Sequence, residues 1–244
     1  MPYQLLNFND MLVTDLELDY EVLPTSNYLL INKWINYTIK KKCLSLITGQ
    51  NGYGKSSASR DIAITSEGIK YFQVDVGEPP KIFYAKFLHE LAENERLDIT
   101  KLKTKYIHYL IERSSYIIND RNDISLIIID EFGNFNRLYL PFLRQIWDNI
   151  HSTAGLVLVG PPSIELDLSK WQKESIPGIN ELLSRIGTNR VRLKETTHRD
   201  LKLICNDKGI YDSQFISNLY RTTRDLRIAD DILEKKLEGI ELVE

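Results

Sequence analysis

The chain is poor in the residues that would tie it to an oxidising compartment, a metal or a bilayer. Only two of its 244 residues are cysteine, Cys43 and Cys205. They lie far apart in apolar runs, so they read as buried thiols of a reduced, cytoplasmic protein and not as a disulfide framework. The four histidines (His89, His108, His151 and His198) show no ligand spacing, which sets aside a zinc site. No apolar stretch approaches the ~18 residues a spanning helix needs, so no membrane partner is expected. The first residues lack a basic segment leading into an apolar run, so no secretory signal is expected either. Internal repeats and low-complexity tracts are missing, which excludes solenoids and disordered arrays. There is no excess of one charge: 31 Lys and Arg face 34 Asp and Glu, a net −3. Any contact with nucleic acid must therefore come from a local patch. What is present, 43% apolar and 27% charged residues, suits one large domain, or a core with a small satellite.

One stretch stands out, Gly49-Gln50-Asn51-Gly52-Tyr53-Gly54-Lys55-Ser56-Ser57. It reads G-x-x-x-x-G-K-S, a pattern that arises by accident in on the order of one chain in a hundred of this length. The glycines let the backbone adopt φ > 0 and approach a polyphosphate. Successive N–H groups then form an anion nest at a helix start, where the dipole also favours negative charge. Lys55 would reach the β- and γ-phosphates of ATP, and the Ser56 hydroxyl would meet Mg²⁺. The context agrees, with an apolar run over residues 43–48 before the loop and a helix-compatible run after it.

Around this loop the pattern alternates. Residues 1–22 are mixed, with an acidic segment from Asp15 to Glu21 that suits a short strand or a docking arm. A helix is expected from Ser26 as N-cap, with Tyr28, Leu29, Ile31, Trp34, Ile35 and Ile39 on its apolar face and Lys40-Lys41-Lys42 at its end. Strands are expected over 43–48, 69–76, 124–131, 155–160 and 190–193. Helices are expected from the loop to about 65, and over 81–95, 101–118, 138–150 and 179–186, with Pro80 at N1 of the second. A polar loop is expected from Pro161 to Pro177. After Thr197 only helical patterns follow, over 199–207, 212–221 and 224–237, as a small helical domain behind the core would show.

Alternating strands and helices imply a parallel, doubly wound sheet with ligands at the carboxyl ends of its strands. The run Ile124-Ser125-Leu126-Ile127-Ile128-Ile129-Asp130-Glu131 looks like a strand buried on both faces and ending in two carboxylates. Asp130 would hold Mg²⁺ opposite Ser56, directly or through water, and Glu131 would orient or deprotonate the attacking water. Charge building on the γ-phosphate calls for a cation from elsewhere. Arg185 and Arg227 are candidates, although by spacing alone both are surface arginines on helices.

The order of these motifs resembles the AAA+ ATPases, within them the initiator-like branch, and most closely the MuB/TnsC type of transposition target-selection ATPase. The residues that carry the resemblance are GQNGYGKS, LIIIDE, FLRQIWDNIHSTAGLVLVG, NELLSRIGTNRVRL and RTTRDLRIADDIL, so it covers roughly residues 23 to 238. It implies an α/β P-loop AAA+ core with a parallel five-stranded sheet in the order 5-1-4-3-2, followed by an all-helical lid. The division would be an arm over 1–22, the core over 23–196 and the lid over 197–240. It also implies an ATPase that forms ATP-dependent rings or helical filaments on duplex DNA and hands that DNA to a partner transposase. Arg185 matches the arginine that reaches the γ-phosphate of a neighbouring subunit, in trans. Arg227 matches the sensor 2 arginine of the subunit's own lid, and Leu23-Pro24 the segment beside the adenine. Lys81, with Lys86 beyond it, matches the DNA-contacting start of the helix after strand two, and Lys101, Lys103 and Lys105 form a second patch. The family's polar sensor 1 residue, often Asn, is replaced by Pro161-Pro162-Ser163, which implies slow turnover unless Ser163 substitutes. The alternative is a helicase loader of the DnaC type. About 22 residues before the core leave little room for its helicase-docking domain. A secretion or membrane-assembly ATPase would bring a transmembrane segment or a peptidoglycan-binding domain, and neither is seen.

Overall fold

Aliphatic residues alternate along the central strands and sort onto two faces, and that sorting builds the molecule. A computed structural model describes residues 22–92, 106–121, 123–135 and 137–240. The expected arm over 1–22, apart from residue 22, and the lysines Lys101, Lys103 and Lys105 lie outside the described residues.

The strands are β1 (Leu44–Thr48), β2 (Ile69–Gln73), β3 (Leu126–Asp130), β4 (Gly155–Gly160) and β5 (Arg190–Arg192). They form one sheet in the order β2-β3-β4-β1-β5, every pair parallel. This is the expected 5-1-4-3-2 order. Leu44, Leu46, Ile127, Ile129, Leu156 and Leu158 face one side of the sheet. Ile47, Leu126, Ile128, Val157 and Val159 face the other. Each such side chain stabilises the fold by about 1.5–3 kcal/mol through burial, so the continuous aliphatic runs are accounted for by a sheet covered on both faces.

The second face is covered by α1 (Ser26–Lys41) and α2 (Lys55–Thr65), through Ile31, Ile35, Ala58 and Ile62. The first is covered by α3 (Pro80–Ala92), α4 (Tyr106–Arg121), α5 (Leu140–Ile150), α6 (Ser163–Lys173) and α7 (Ile179–Ile186). After the sheet in chain order, α8 (His198–Asp207), α9 (Ser213–Thr222) and α10 (Leu226–Leu237) close a separate small core around Leu201, Cys205, Ile216, Leu219 and Leu233.

Four local expectations are corrected. The N-cap of α1 is Thr25, whose hydroxyl accepts from the Tyr28 N–H. Ser26 is drawn away instead, its N–H and hydroxyl both donating to Asp200 Oδ1 at 2.7 and 2.9 Å. The stretch expected as a polar loop contains α6, because Ile164, Leu168 and Trp171 recur at helical spacing and pack on the core. Strand β2 stops at Gln73, after which Val74 N–H still donates to the Asp130 carbonyl but a turn from Asp75 to Glu78 takes over. Cys43 is half-buried; Cys205 is buried as expected. Among the described residues no helix is long and apolar enough to cross a membrane.

Candidate functional site

The carboxyl ends of β1 and β3 bring the two sequence motifs to the same edge of the sheet. The loop from Gly49 to Gly54 leaves β1 and enters α2 at Lys55. Gly52 and Gly54 both take φ of +76°, a conformation that costs an L-residue about 1–2 kcal/mol. The first turn of α2, with Lys55, Ser56 and Ser57, has N–H groups that no helical carbonyl can take. Lys55 is buried, and its ammonium donates to the carbonyls of Gly49 and Gln50 at 2.8 and 2.9 Å. Burial lowers its pKa, against the pull of Asp130 and Glu131 and with the push of Arg227. Gln50 and Asn51 are exposed at the loop's tip.

Asp130, the last residue of β3, is fully buried. Its Oδ1 accepts from the Glu131 N–H and its Oδ2 from the Tyr71 hydroxyl, each at 2.7 Å. Glu131 follows in the left-handed region with φ of +53°, a strained turn for a residue with a side chain. Burial raises the Glu131 pKa, and the Asp130 charge adds to this, while Lys55 and Arg227 oppose it. Lys55 and Glu131 thus each lie within reach of the other's charge and of those of Asp130 and Arg227.

The lid is seated directly on the loop. Asp225 caps α10 by accepting from the Arg227 N–H at 2.9 Å, and the Leu226 N–H donates to the Gly52 carbonyl at 2.9 Å. The Asp225 carboxylate lies in the space that a Cβ on Gly52 would fill, and Leu226 packs over Gly54. The Arg227 guanidinium, largely exposed, is held by Asp225 at 3.2 Å. Its pKa is raised by that hydrogen bond and charge. From the core side, Leu193 closes on Gly49, and the Asn27 amide donates to the carbonyls of Lys194 and Tyr53 at 2.8 and 3.4 Å.

The remaining sequence candidates fall elsewhere. Arg185 sits on α7, across the sheet from α2, and donates to Asp148 Oδ1 on α5 at 2.5 Å. Arg144 joins the same cluster, at 3.4 Å from Asp148 and 3.3 Å from Glu181. Lys81 is half-buried in the first turn of α3. Lys86 is committed to Asp75 and Glu78 at 2.7 and 2.6 Å. Ser163 starts α6 after Pro161-Pro162. Two residues later, Glu165 accepts from Thr48 at 2.7 Å and Arg192 at 2.6 Å, which joins the ends of β1 and β5. Sequence reasoning missed Asn27, Arg60, Tyr71, Asp225 and Glu165. Only Asp225 left a readable signal, an acidic residue just before an apolar helical pattern.

The residues fit a nucleotide with its divalent ion. The loop offers a close-approach cradle with positive-φ glycines, a buried ammonium and helix N–H groups. Mg²⁺ would draw on the Ser56 hydroxyl and Asp130, whose oxygens retain lone pairs beyond the two hydrogen bonds they accept. Among the described residues no group of three or more His, Cys, Asp or Glu side chains is arranged to hold a metal ion by itself.

Sheet order, phosphate loop and paired carboxylates define a P-loop nucleotide-binding protein with a helical lid. A sequence model described as AAA domain matches residues 39–167, just over half of the chain, and the chain belongs to that family. No curated protein matches it in sequence. Among solved structures it is similar to the replication initiator DnaA bound to AMPPCP and single-stranded DNA (TM-score 0.53, 14% identity, 91% of this chain and 64% of that one). It is also similar to Drosophila ORC bound to DNA (TM-score 0.59, 14% identity, 94% of this chain and 61% of that one). A third is a STAND protein with a tetratricopeptide repeat sensor from Pyrococcus horikoshii (TM-score 0.51, 18% identity, 83% and 29%). The chain spans less than two thirds of the length of each, and at these identities the likeness is one of fold.

Proposed function

We propose that the chain is an ATP-operated, DNA-binding ATPase that assembles with copies of itself on duplex DNA and delivers that DNA to a transposase. In each subunit the loop from Gly49 to Ser57 binds the phosphates, Ser56 and Asp130 would hold Mg²⁺, and Glu131 orients or deprotonates the attacking water. The ion, when bound, would neutralise charge on the β- and γ-phosphates. Arg227 reports from the subunit's own lid, residues 197–240. Arg185 completes the site of a neighbour. Lys81, Lys101 and Lys103 contribute to phosphate-backbone binding without sequence preference, whereas Lys86 would first have to leave Asp75 and Glu78.

The observation that carries this reading is the placement of the two arginines. Arg227 lies within electrostatic reach of Lys55 and Glu131. Arg185 lies across the sheet from α2, on a carboxylate of its own. An arginine so placed serves a second subunit's site more readily than its own. The transposase assignment rests on the sequence resemblance of the motifs around Arg185 and β4, and a partner reading single strands would instead favour the helicase-loader role.

A mixing experiment tests it. Glu131→Gln, which leaves the phosphate loop able to bind ATP, and Arg185→Ala should each be nearly inactive alone with ATP and duplex DNA. Mixed in equal amounts, they should recover about a quarter of wild-type turnover, because head-to-tail assembly pairs an intact Glu131 with an intact arginine at that frequency. No recovery on mixing, with both variants folded, sinks the trans role. Loss of assembly on duplex but not on single-stranded DNA sinks the duplex assignment.

A further inference from the structure

Tyr71 lies in β2 and stands opposite Ile128 in β3, while Asp130 stands opposite Gln73. Residues two apart on a strand share a face, so Tyr71 and Asp130 are diagonal neighbours on the side covered by α2. The phenol spans that diagonal and donates to Asp130 Oδ2 at 2.7 Å. Asp130 is fully buried, and its other oxygen is taken by the Glu131 N–H. The carboxylate is therefore fixed at both oxygens and cannot rotate without losing one bond.

Arg60 completes the arrangement from α2. Its guanidinium lies 5.5 Å from the centre of the Tyr71 ring and donates to Gln73 at 3.2 Å. Its Nε is buried and makes no hydrogen bond within the protein, so the side chain is held there without using all its donors. A cation over the ring polarises the phenol and makes its O–H a better donor.

We propose that Tyr71, backed by Arg60, is a positioning residue for the metal-holding carboxylate: its phenol locks Asp130 in the one orientation that leaves its free lone pairs turned toward the phosphate loop. The proposal deepens the ATPase reading and rests on it. Tyr71 touches neither nucleotide nor ion; it acts through Asp130.

The prediction is specific to the ion. Removing a hydrogen bond to a charged group costs about 1.5–3 kcal/mol, and 1.4 kcal/mol is tenfold in an equilibrium. In Tyr71→Phe, affinity for a fluorescent ATP analogue in EDTA should match wild type, since the loop and Lys55 are untouched. The Mg²⁺ concentration giving half of the ion-dependent tightening should rise at least tenfold. Arg60→Met should shift it in the same direction by a smaller factor, which keeps the test open if the tyrosine variant folds poorly. A purely packing role for Tyr71 would weaken binding equally with and without Mg²⁺, and that result overturns the proposal. So does an unchanged Mg²⁺ requirement in both variants. Wild-type protein that binds no nucleotide, with or without Mg²⁺, would instead refute the ATPase reading itself.

Discussion

Gly52→Ala is the sharpest probe of how the lid meets the phosphate loop. The substitution adds one methyl group in the space now held by the Asp225 carboxylate, at a backbone φ of +76°. Asp225 is not free to yield. Its Oδ1 accepts from the Arg227 N–H at 2.9 Å, and the Arg227 guanidinium holds its Oδ2 at 3.2 Å. Relief therefore means pulling the cap off α10. An alanine in the left-handed region costs about 1–2 kcal/mol. A lost aspartate cap costs about 1 kcal/mol more. The sum, about 2–3 kcal/mol, corresponds to a fall of about 5–10 °C in Tm for a domain of this size. The decisive comparison is in the Asp225→Ala background, where the cap is already gone and the methyl has room. There Gly52→Ala should cost only its backbone share, so the double variant should be about as stable as Gly52→Ala alone. Urea unfolding of all four proteins gives the coupling directly, expected at about 1 kcal/mol. Strict additivity, with the double variant losing that further 1 kcal/mol, would show that Asp225 does not sit over Gly52 in solution.

Two other expectations follow from the same contacts. Leu168→Ala, at a position 1% exposed on α6, should destabilise the protein by about 2–5 kcal/mol in urea unfolding, and a loss under about 0.5 kcal/mol would return this stretch to the surface loop its polarity suggests. Acid should loosen the lid. Burial alone would raise the pKa of Asp200, but hydrogen bonds from Ser26 and Thr197 outweigh it; Arg227 does the same for Asp225, and Thr48 and Arg192 for Glu165, so all three are held below the usual range. A carboxylate depressed in the folded state contributes stability that is present above its unfolded pKa of about 4 and is lost as pH falls through the folded value. Glu131, raised by burial, works with the opposite sign. Unfolding measured from pH 7 down to pH 3 should show stability falling below about pH 4, with a shallower fall in Asp200→Asn.

The sheet was readable in the sequence because its signal is local. An Ile-rich run over residues 124–129 is the pattern of a strand buried on both faces, and the strand observed is Leu126–Asp130. The phosphate loop was readable for the same reason, since its glycines, lysine and serine are consecutive. What the sequence hid is long-range or diagonal. Ser26 and Asp200 lie 174 residues apart, and nothing near either one shows that the serine binds the aspartate instead of capping its own helix. Tyr71 looked like one more aromatic in a strand until β2 paired with β3 in a register that set it beside Asp130. Helix α6 was missed because its polar residues are many and its apolar face only three side chains wide; burial of Ile164 and Leu168, with Trp171 packed against the core, overrides that texture.

These hidden contacts converge on the phosphate loop. Leu193 presses on Gly49, Asp225 on Gly52, Asn27 holds the Tyr53 carbonyl and Leu226 covers Gly54. The same partners lead outward. Asn27 also bonds Lys194, at 2.8 and 3.3 Å, just before the lid, and its neighbour Ser26 bonds Asp200 within it. A loop gripped from β5, α1 and α10 cannot change shape without moving at least one of them. Arg227 is tied to the same aspartate that covers Gly52, through both its backbone N–H and its guanidinium. The lid and the phosphate cradle are therefore one mechanical unit, joined at a single carboxylate that one added methyl group can test.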